Sequence, residues 1–386
     1  SGLTAATEYY IRIFEYQGTN ATLNYNVSAA TGNPNNRYAL STEPTAHGSL
    51  TATAASDASI DLSWGDATGE SGFVILRRAG AAPTGTPADG TAYAAGNTIG
   101  DGTVAYAGTT AGAGSTTDSS LSADTTYYYK IFPYAYDGTE GHATYNYYTG
   151  GTPGNDSDTT GESEPASSSS IVSFLPASGT TATIAWTNTG SADGTILLVK
   201  SGSAVDANPA DWTGYSADLA FGDGDEIGTG NFVVVAGAGK HGSATVTGLS
   251  AGTTYHVAAY PYNGSGSFLN YRTASPGTAS VLILPDPSAA TATADGKTLI
   301  DLAWTKHASY DVMIVYKSGS ASTAPTQGDA YSVGGACGGG TVIYKGSGAA
   351  LEHVVVSGTT HHYAFYSYSG NYYSAGLTDS EATSSF

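Results

Sequence analysis

The chain has 386 residues, with 32 Asp or Glu against 12 Lys or Arg, a net charge of −20 and one cysteine. That length exceeds one small core and fits three modules of roughly 100 residues. An acidic chain this poor in cations is repelled by phosphate backbones and anionic headgroups, and one cysteine excludes an internal disulfide framework.

No run of 18 apolar residues is present to span a bilayer. Ser1 falls in mid-motif, without the basic and apolar regions of a signal peptide, so a processing site or fragment boundary is expected there.

In chain order, LTAATEYYIRIF opens at Leu3 and an Asn-Tyr pair follows at Asn24–Tyr25. SIDLSW (Ser59 to Trp64) alternates small or polar with apolar residues, the period of a half-buried strand. GFVILRR, a Gly-Pro-Tyr connection and a Gly-marked strand, IGDGTVAYAG, come next. LSADTTYYYKIF then runs from Leu121 to Phe132, and Asn146–Tyr147 is read as opening the last strand. The whole series returns with TATIAW, GTILLVK, LSAGTTYHVAAY from Leu249 and Asn270–Tyr271. It returns again with LIDLAW, YDVMIVYK, CGGGTVIYKG, VSGTTHHYAFY from Val356 and Asn371–Tyr372.

Self-similarity at a long period decides the fold before any local reading. Short strands at this spacing, with Gly and Pro turns and no helical period, read as antiparallel β-sandwiches. The corner residues Leu121, Thr125 and Tyr127, with Leu249, Thr253 and Tyr255, resemble the tyrosine corner of fibronectin type III domains. So do Trp64, Trp186 and Trp304 on the second strand. The last copy places His362 where the tyrosine is expected and is read as the least regular module.

The expected fold is all-β: tandem fibronectin type III-like sandwiches, three complete, preceded by the closing part of a fourth. Residues 1–46 are the last two strands of a module, and residues 47–152, 171–284 and 285–386 are full modules. Residues 153–170, acidic and without aromatics, read as a flexible tether, and Leu282 to Thr291 as a Pro-stiffened junction. The resemblance implies a secreted or bacterial cell-surface protein, a family context in which many roles share one fold.

The orphan half-module is the main functional candidate. A lone two-stranded hairpin is marginal in water and leaves apolar surface and strand edges unpaired. It is either a boundary fragment or an assembly element acting by β-strand addition or packing, through Leu3, Tyr9, Tyr10, Ile11, Ile13, Phe14, Tyr16 and Tyr25. Each full module keeps its own copy of these strands, so no vacant groove is evident.

Runs such as Tyr127–Tyr129 must direct some rings outward, for sugars, for a protein interface or as cross-strand pairs. Asp223, Asp225 and Glu226 are weak calcium candidates without the twelve-residue loop pattern; no other cofactor is expected. His353, His361 and His362 lie close in sequence, but strand neighbours face opposite ways, against a shared metal. Cys337 lies in a Gly-rich loop, as a small residue in a tight turn or an exposed subunit-linking thiol. No catalytic signature appears. The expected function is a non-enzymatic structural or adhesive protein, self-associating into fibres or joining other surface proteins. The alternative is a spacer or glycan-binding part of a secreted hydrolase. Nucleic acid and membrane insertion are not expected.

Overall fold

The computed structural model describes residues 2–28, 30–190, 192–239, 241–266 and 268–385; Ser1 and Phe386 lie outside them. The chain divides into two compact units, Ser1–Ser163 and Glu164–Phe386.

The first unit begins with a short hairpin, β1 (Glu8–Ile11) paired antiparallel to β2 (Asn35–Tyr38). Seven main strands follow: β3 (Leu50–Ala54), β4 (Ser59–Trp64), β5 (Gly72–Ala79), β6 (Gly102–Gly108), β7 (Gly114–Ser119), β8 (Thr126–Ala135) and β9 (Asn155–Thr159). The second unit repeats the set twice. Its first copy is β10 (Ser169–Ser178), β11 (Thr181–Asn188), β12 (Gly194–Ser201), β13 (Phe232–Ala238), β14 (His241–Val246), β15 (Thr254–Asn263) and β16 (Gly277–Leu282). Its second is β17 (Ser288–Ala294), β18 (Leu299–Thr305), β19 (Asp311–Ser318), β20 (Gly340–Gly346), β21 (Ala350–Val354), β22 (Thr360–Ser369) and β23 (Leu377–Ala382).

In each module the first, second and fifth strands make one sheet, with the second central. The fourth, third, sixth and seventh make the other, in that order. These are tandem fibronectin type III-like sandwiches, all antiparallel.

Two periodicities explain the burial. The second strand alternates: Ile60, Leu62 and Trp64 face the core while Asp61 and Ser63 face out. The third strand is buried on both faces from Gly72 to Leu76, which is why it reads as a continuous apolar run. Phe73 and Ile75 enter the core between the sheets, with Trp64 and Ile131. Val74 and Leu76 enter an outer cluster with Ile99, Phe132, Tyr134 and Tyr147. Both clusters recur in the other modules. Gly114 and Gly242 pass so close to Trp64 and Trp186 that a Cβ at either would collide with the indole.

The Asn-Tyr pairs do not open the last strand, as the sequence suggested. They form two-residue ladders on the end of the sixth strand, and the last strand comes later. Their tyrosines clasp the long connection over the outer cluster. Tyr147 donates its N–H to Asp89 Oδ1 and its hydroxyl to Thr91 O, at 2.9 Å each. Tyr271 does the same with Asp211 and Thr213; in the last module the clasp falls to Tyr373, one residue past the Asn371–Tyr372 pair, with Gln327 and Asp329.

The expected tether over 153–170 is ordered at both ends. Residues 155–159 are β9, and β10 starts at Ser169. The acidic residues that suggested a solvated linker turn inward instead: Asp156 and Asp158 accept the edge N–H groups of Ala52 and Ala54. Asp379 does the same for Ala292. In the second unit Ile283 and Leu284 are fully buried, and Asp286 accepts the N–H of Gly376, so that junction is packed.

Candidate functional site

The tyrosine corner appears in three of the four copies. The hydroxyls of Tyr127 and Tyr255 accept the N–H groups of Ser122 and Ser250, at 3.0 and 2.9 Å. Leu121 and Leu249 are buried beneath. Thr125 donates its hydroxyl to Ala123 O, and Thr253 O accepts the N–H of Ile283. In the hairpin, Tyr9 accepts the N–H of Thr4 at 2.6 Å.

In the last module the corner residue is His361, one position before the expected His362. The N–H of Val355 bonds Thr298 O as Leu121 does Ala58 O, and Ser318 pairs with His361 as Ala79 does with Tyr127. Val355 is buried while Val354 and Val356 are exposed. With Val355 beside Val356 and His361 beside His362, the motif can be read in two registers, and only one puts a valine inside. His361 Nε2 donates to Val356 O at 3.0 Å, which leaves Nδ1 to accept from Tyr316.

With the corners aligned, residues 3–38 pair in the same register as residues 121–159, although the strand that is continuous from Thr126 to Ala135 is broken here between Ile11 and Tyr16. Glu8 pairs with Tyr38 as Thr126 pairs with Thr159, and Tyr16 with Tyr25 as Tyr134 with Tyr147. Exposure is where they part. Ile13 is 74% exposed against 0% for Ile131, and Phe14 42% against 0% for Phe132. Tyr16 is 65% exposed against 3% for Tyr134, and Tyr25 54% against 1% for Tyr147. Leu3, Tyr10 and Ile11 are exposed too, whereas Tyr9 is half-buried by its corner. Leu23 and Val27 join this surface; nothing in their spacing marked them.

On the side carrying Ile11 and Ile13 lies a groove of about 540 Å³, lined also by Glu15, Asn26, Asn33 and Asn35. Asn33 bonds both backbone groups of Ile13, extending the ladder beyond β2. Hydrogen bonds from Asn36 and Tyr10 hold the Glu8 carboxyl below its usual range. The hairpin is seated on the first module where the Tyr38 ring stacks on His142 at 3.7 Å and Ser41 N–H donates to Thr144 O. Its charges are Arg12 and Arg37 against Glu8, Glu15 and Glu43, so nearly all the net charge of −20 lies elsewhere.

The other candidates fare differently. Tyr127 and Tyr129 are buried, as are Tyr134, Tyr145 and Tyr147; only Tyr128, Tyr136 and Tyr148 are half-exposed. The connection over the outer face removes the rings that alternation should have offered to sugars. Asp225 accepts from Ser216 N–H and Glu226 from Gly230 N–H, so these carboxylates brace their own loop, and Asp223 lies on the turn whose N–H bonds Ala220 O. Among the described residues no group of three or more His, Cys, Asp or Glu is gathered to hold a metal. His353 and His361 both pack on Tyr316, and burial followed by the nearby His361 pushes the His353 pKa down. Cys337 is buried, with its thiol pKa raised by that burial, which removes it as an exposed link. No helix among the described residues is long and apolar enough to cross a membrane.

No protein-family model matches the chain, and no curated protein does. Among solved structures it is similar to the FN1–FN3 domains of chicken CNTN1, at 14% identity over 89% of this chain and 100% of that one, with a TM-score of 0.23. It is also similar to a two-domain fibronectin type III segment of chicken tenascin, at 16% identity over 57% of this chain and 100% of that one, with a TM-score of 0.24. The class, tandem fibronectin type III-like modules, rests on the strand order of each module.

Proposed function

We propose that this is a non-enzymatic, extracellular structural or adhesive protein that assembles into a fibre through residues 2–46. One observation carries the reading: side chains buried in the first module are exposed at the matching positions of the hairpin. A contiguous apolar surface on an otherwise polar molecule marks an interaction site. The hairpin's near-neutral charge supports the same reading, because contact there avoids the repulsion the rest of an acidic chain would impose. Strand addition at the free edge of β1, or packing on its apolar faces, is the mode of contact. The glycan-binding alternative draws less support, since Tyr127 and Tyr129 lie in the inner core and Tyr134, Tyr145 and Tyr147 in the outer cluster.

The test compares the full chain with one lacking residues 2–46, by sedimentation and negative-stain electron microscopy. High-mass assemblies are expected only with the hairpin present. A monodisperse full chain at high concentration would overturn the proposal.

A further inference from the structure

One tryptophan stands outside the module cores. Trp64, Trp186 and Trp304 are buried, whereas Trp212 is half-buried on the connection between β12 and β13 and belongs to neither cluster of its module. Its position recurs in every module. The N–H of Gly90, Trp212 or Gly328 bonds the carbonyl of Tyr145, Leu269 or Asn371, two residues before the clasping tyrosine. The residue before it takes that tyrosine's N–H, and the residue after it takes the hydroxyl. All three have positive φ: 74° at Gly90, 63° at Trp212 and 90° at Gly328. Two modules fill this left-handed site with glycine, which adopts it without a steric penalty. The middle module holds a bulky residue there, which the conformation disfavours.

The facing loop changes with it. Three residues before the clasping tyrosine stand Thr144, Phe268 and Gly370 in the three modules. Thr144 is fully buried, but Phe268 is 40% exposed and meets Trp212 edge to face at 5.7 Å. Asp193 fixes the start of that loop by accepting the N–H of Gly264. Only the middle module therefore carries an aromatic pair at this end of its outer sheet. A strained, bulky residue that fills no core points to contact with something else.

Charge selects the partner. Residues 201–239 include Asp206, Asp211, Asp218, Asp223, Asp225 and Glu226, with no Lys or Arg. Arg272, just past the clasp, is held by Glu164 and the carbonyl of Pro165. The carboxylates turn to their own backbone, Asp211 to Tyr271 N–H and Asp225 to Ser216 N–H. They supply negative potential around the rings, without the directed side-chain groups that sugar hydroxyls require. A cation over an indole is the strongest contact of its kind, and Trp with Arg dominates interface hot spots.

We infer that Trp212 and Phe268 form a docking surface on the second module for a basic polypeptide partner, with an Arg or Lys side chain seated over the indole. This surface is independent of residues 2–46.

The test titrates the dilute full chain with a hexa-arginine peptide and follows tryptophan emission. Because the other three indoles are buried, the change reports Trp212. Saturable quenching is expected. Trp212→Gly, which restores the residue of the other two modules, should weaken binding on the order of 10-fold or more without lowering Tm. Phe268→Ser, which leaves the strained backbone alone, should weaken binding by a smaller factor. Four results overturn the inference. The peptide fails to bind, or binds Trp212→Gly equally well, which is the pull of net charge alone. Cellohexaose quenches where the peptide does not. Trp212→Gly lowers Tm by more than about 4 °C, which makes the ring a brace for its loop. Acrylamide quenches the free chain no better than Trp212→Gly, which means the ring is already covered.

Discussion

Residues 3–38 and 121–159 are two versions of one hairpin in opposite surroundings. Leu, Ala, Thr, the Tyr-Tyr pair, Ile-Phe and the following Tyr recur at the same offsets in both. In one version they sit inside two apolar clusters, and in the other they face solvent. The pair shows that burial here belongs to the neighbours rather than to the residues. Each uncovered Ile, Phe or Tyr forgoes about 1.5–3 kcal/mol of transfer free energy, which is the drive toward a partner.

The comparison breaks if equivalent substitutions have equal effects. Phe132→Ala should destabilise the first module by about 3–5 kcal/mol in urea unfolding. Phe14→Ala should change chain stability by less than about 0.5 kcal/mol. Asp158→Ala strands the edge N–H of Ala54 and should cost about 1–3 kcal/mol. Its counterpart in register, Arg37, is exposed, and Arg37→Ala should cost nothing measurable. Tyr127→Phe removes the corner hydrogen bond and should cost about 1 kcal/mol; Tyr9→Phe, in an unsupported corner, should leave the melting curve unchanged.

Two pH effects sharpen the same contrast. Burial pushes Tyr260 and Tyr366 up to about 12. A raised tyrosine pKa favours the neutral folded form, so the stability is complete below about 10 and lost as pH rises toward 12. Absorbance titration followed alongside circular dichroism should show these rings ionising only as the modules unfold. The depressed His353 pKa works in the other direction. The unfolded chain takes the proton first, so the last module should lose stability as pH falls below about 6.5. His353→Phe should flatten that slope.

The repeats and the alternation around the three tryptophans made the sandwiches legible, because both are set by which face is buried. The likeness of the hairpin to residues 121–159 was legible from the motif that opens at Leu3 and from the Asn24–Tyr25 pair. The β9 strand was not, because inward carboxylates that cap an edge look like a solvated linker until their backbone partners are seen. Nor was the clasp by Tyr147 and its counterparts: its signal, an Asp or Gln in the Pro-rich connection, acquires meaning only when the connection folds back over the sheet. The exposure of the hairpin was inferred from missing strands; that both of its faces are bare required the second cluster to be seen.

Hydrogen exchange on the dilute, unassembled chain tests the central claim most directly. Amides of residues 10–14 should exchange at nearly unprotected rates while those of 128–132 are protected to the stability of the first module. Equal protection of the two segments would mean that residues 2–46 are already covered, and would contradict the account of an unfilled half-module.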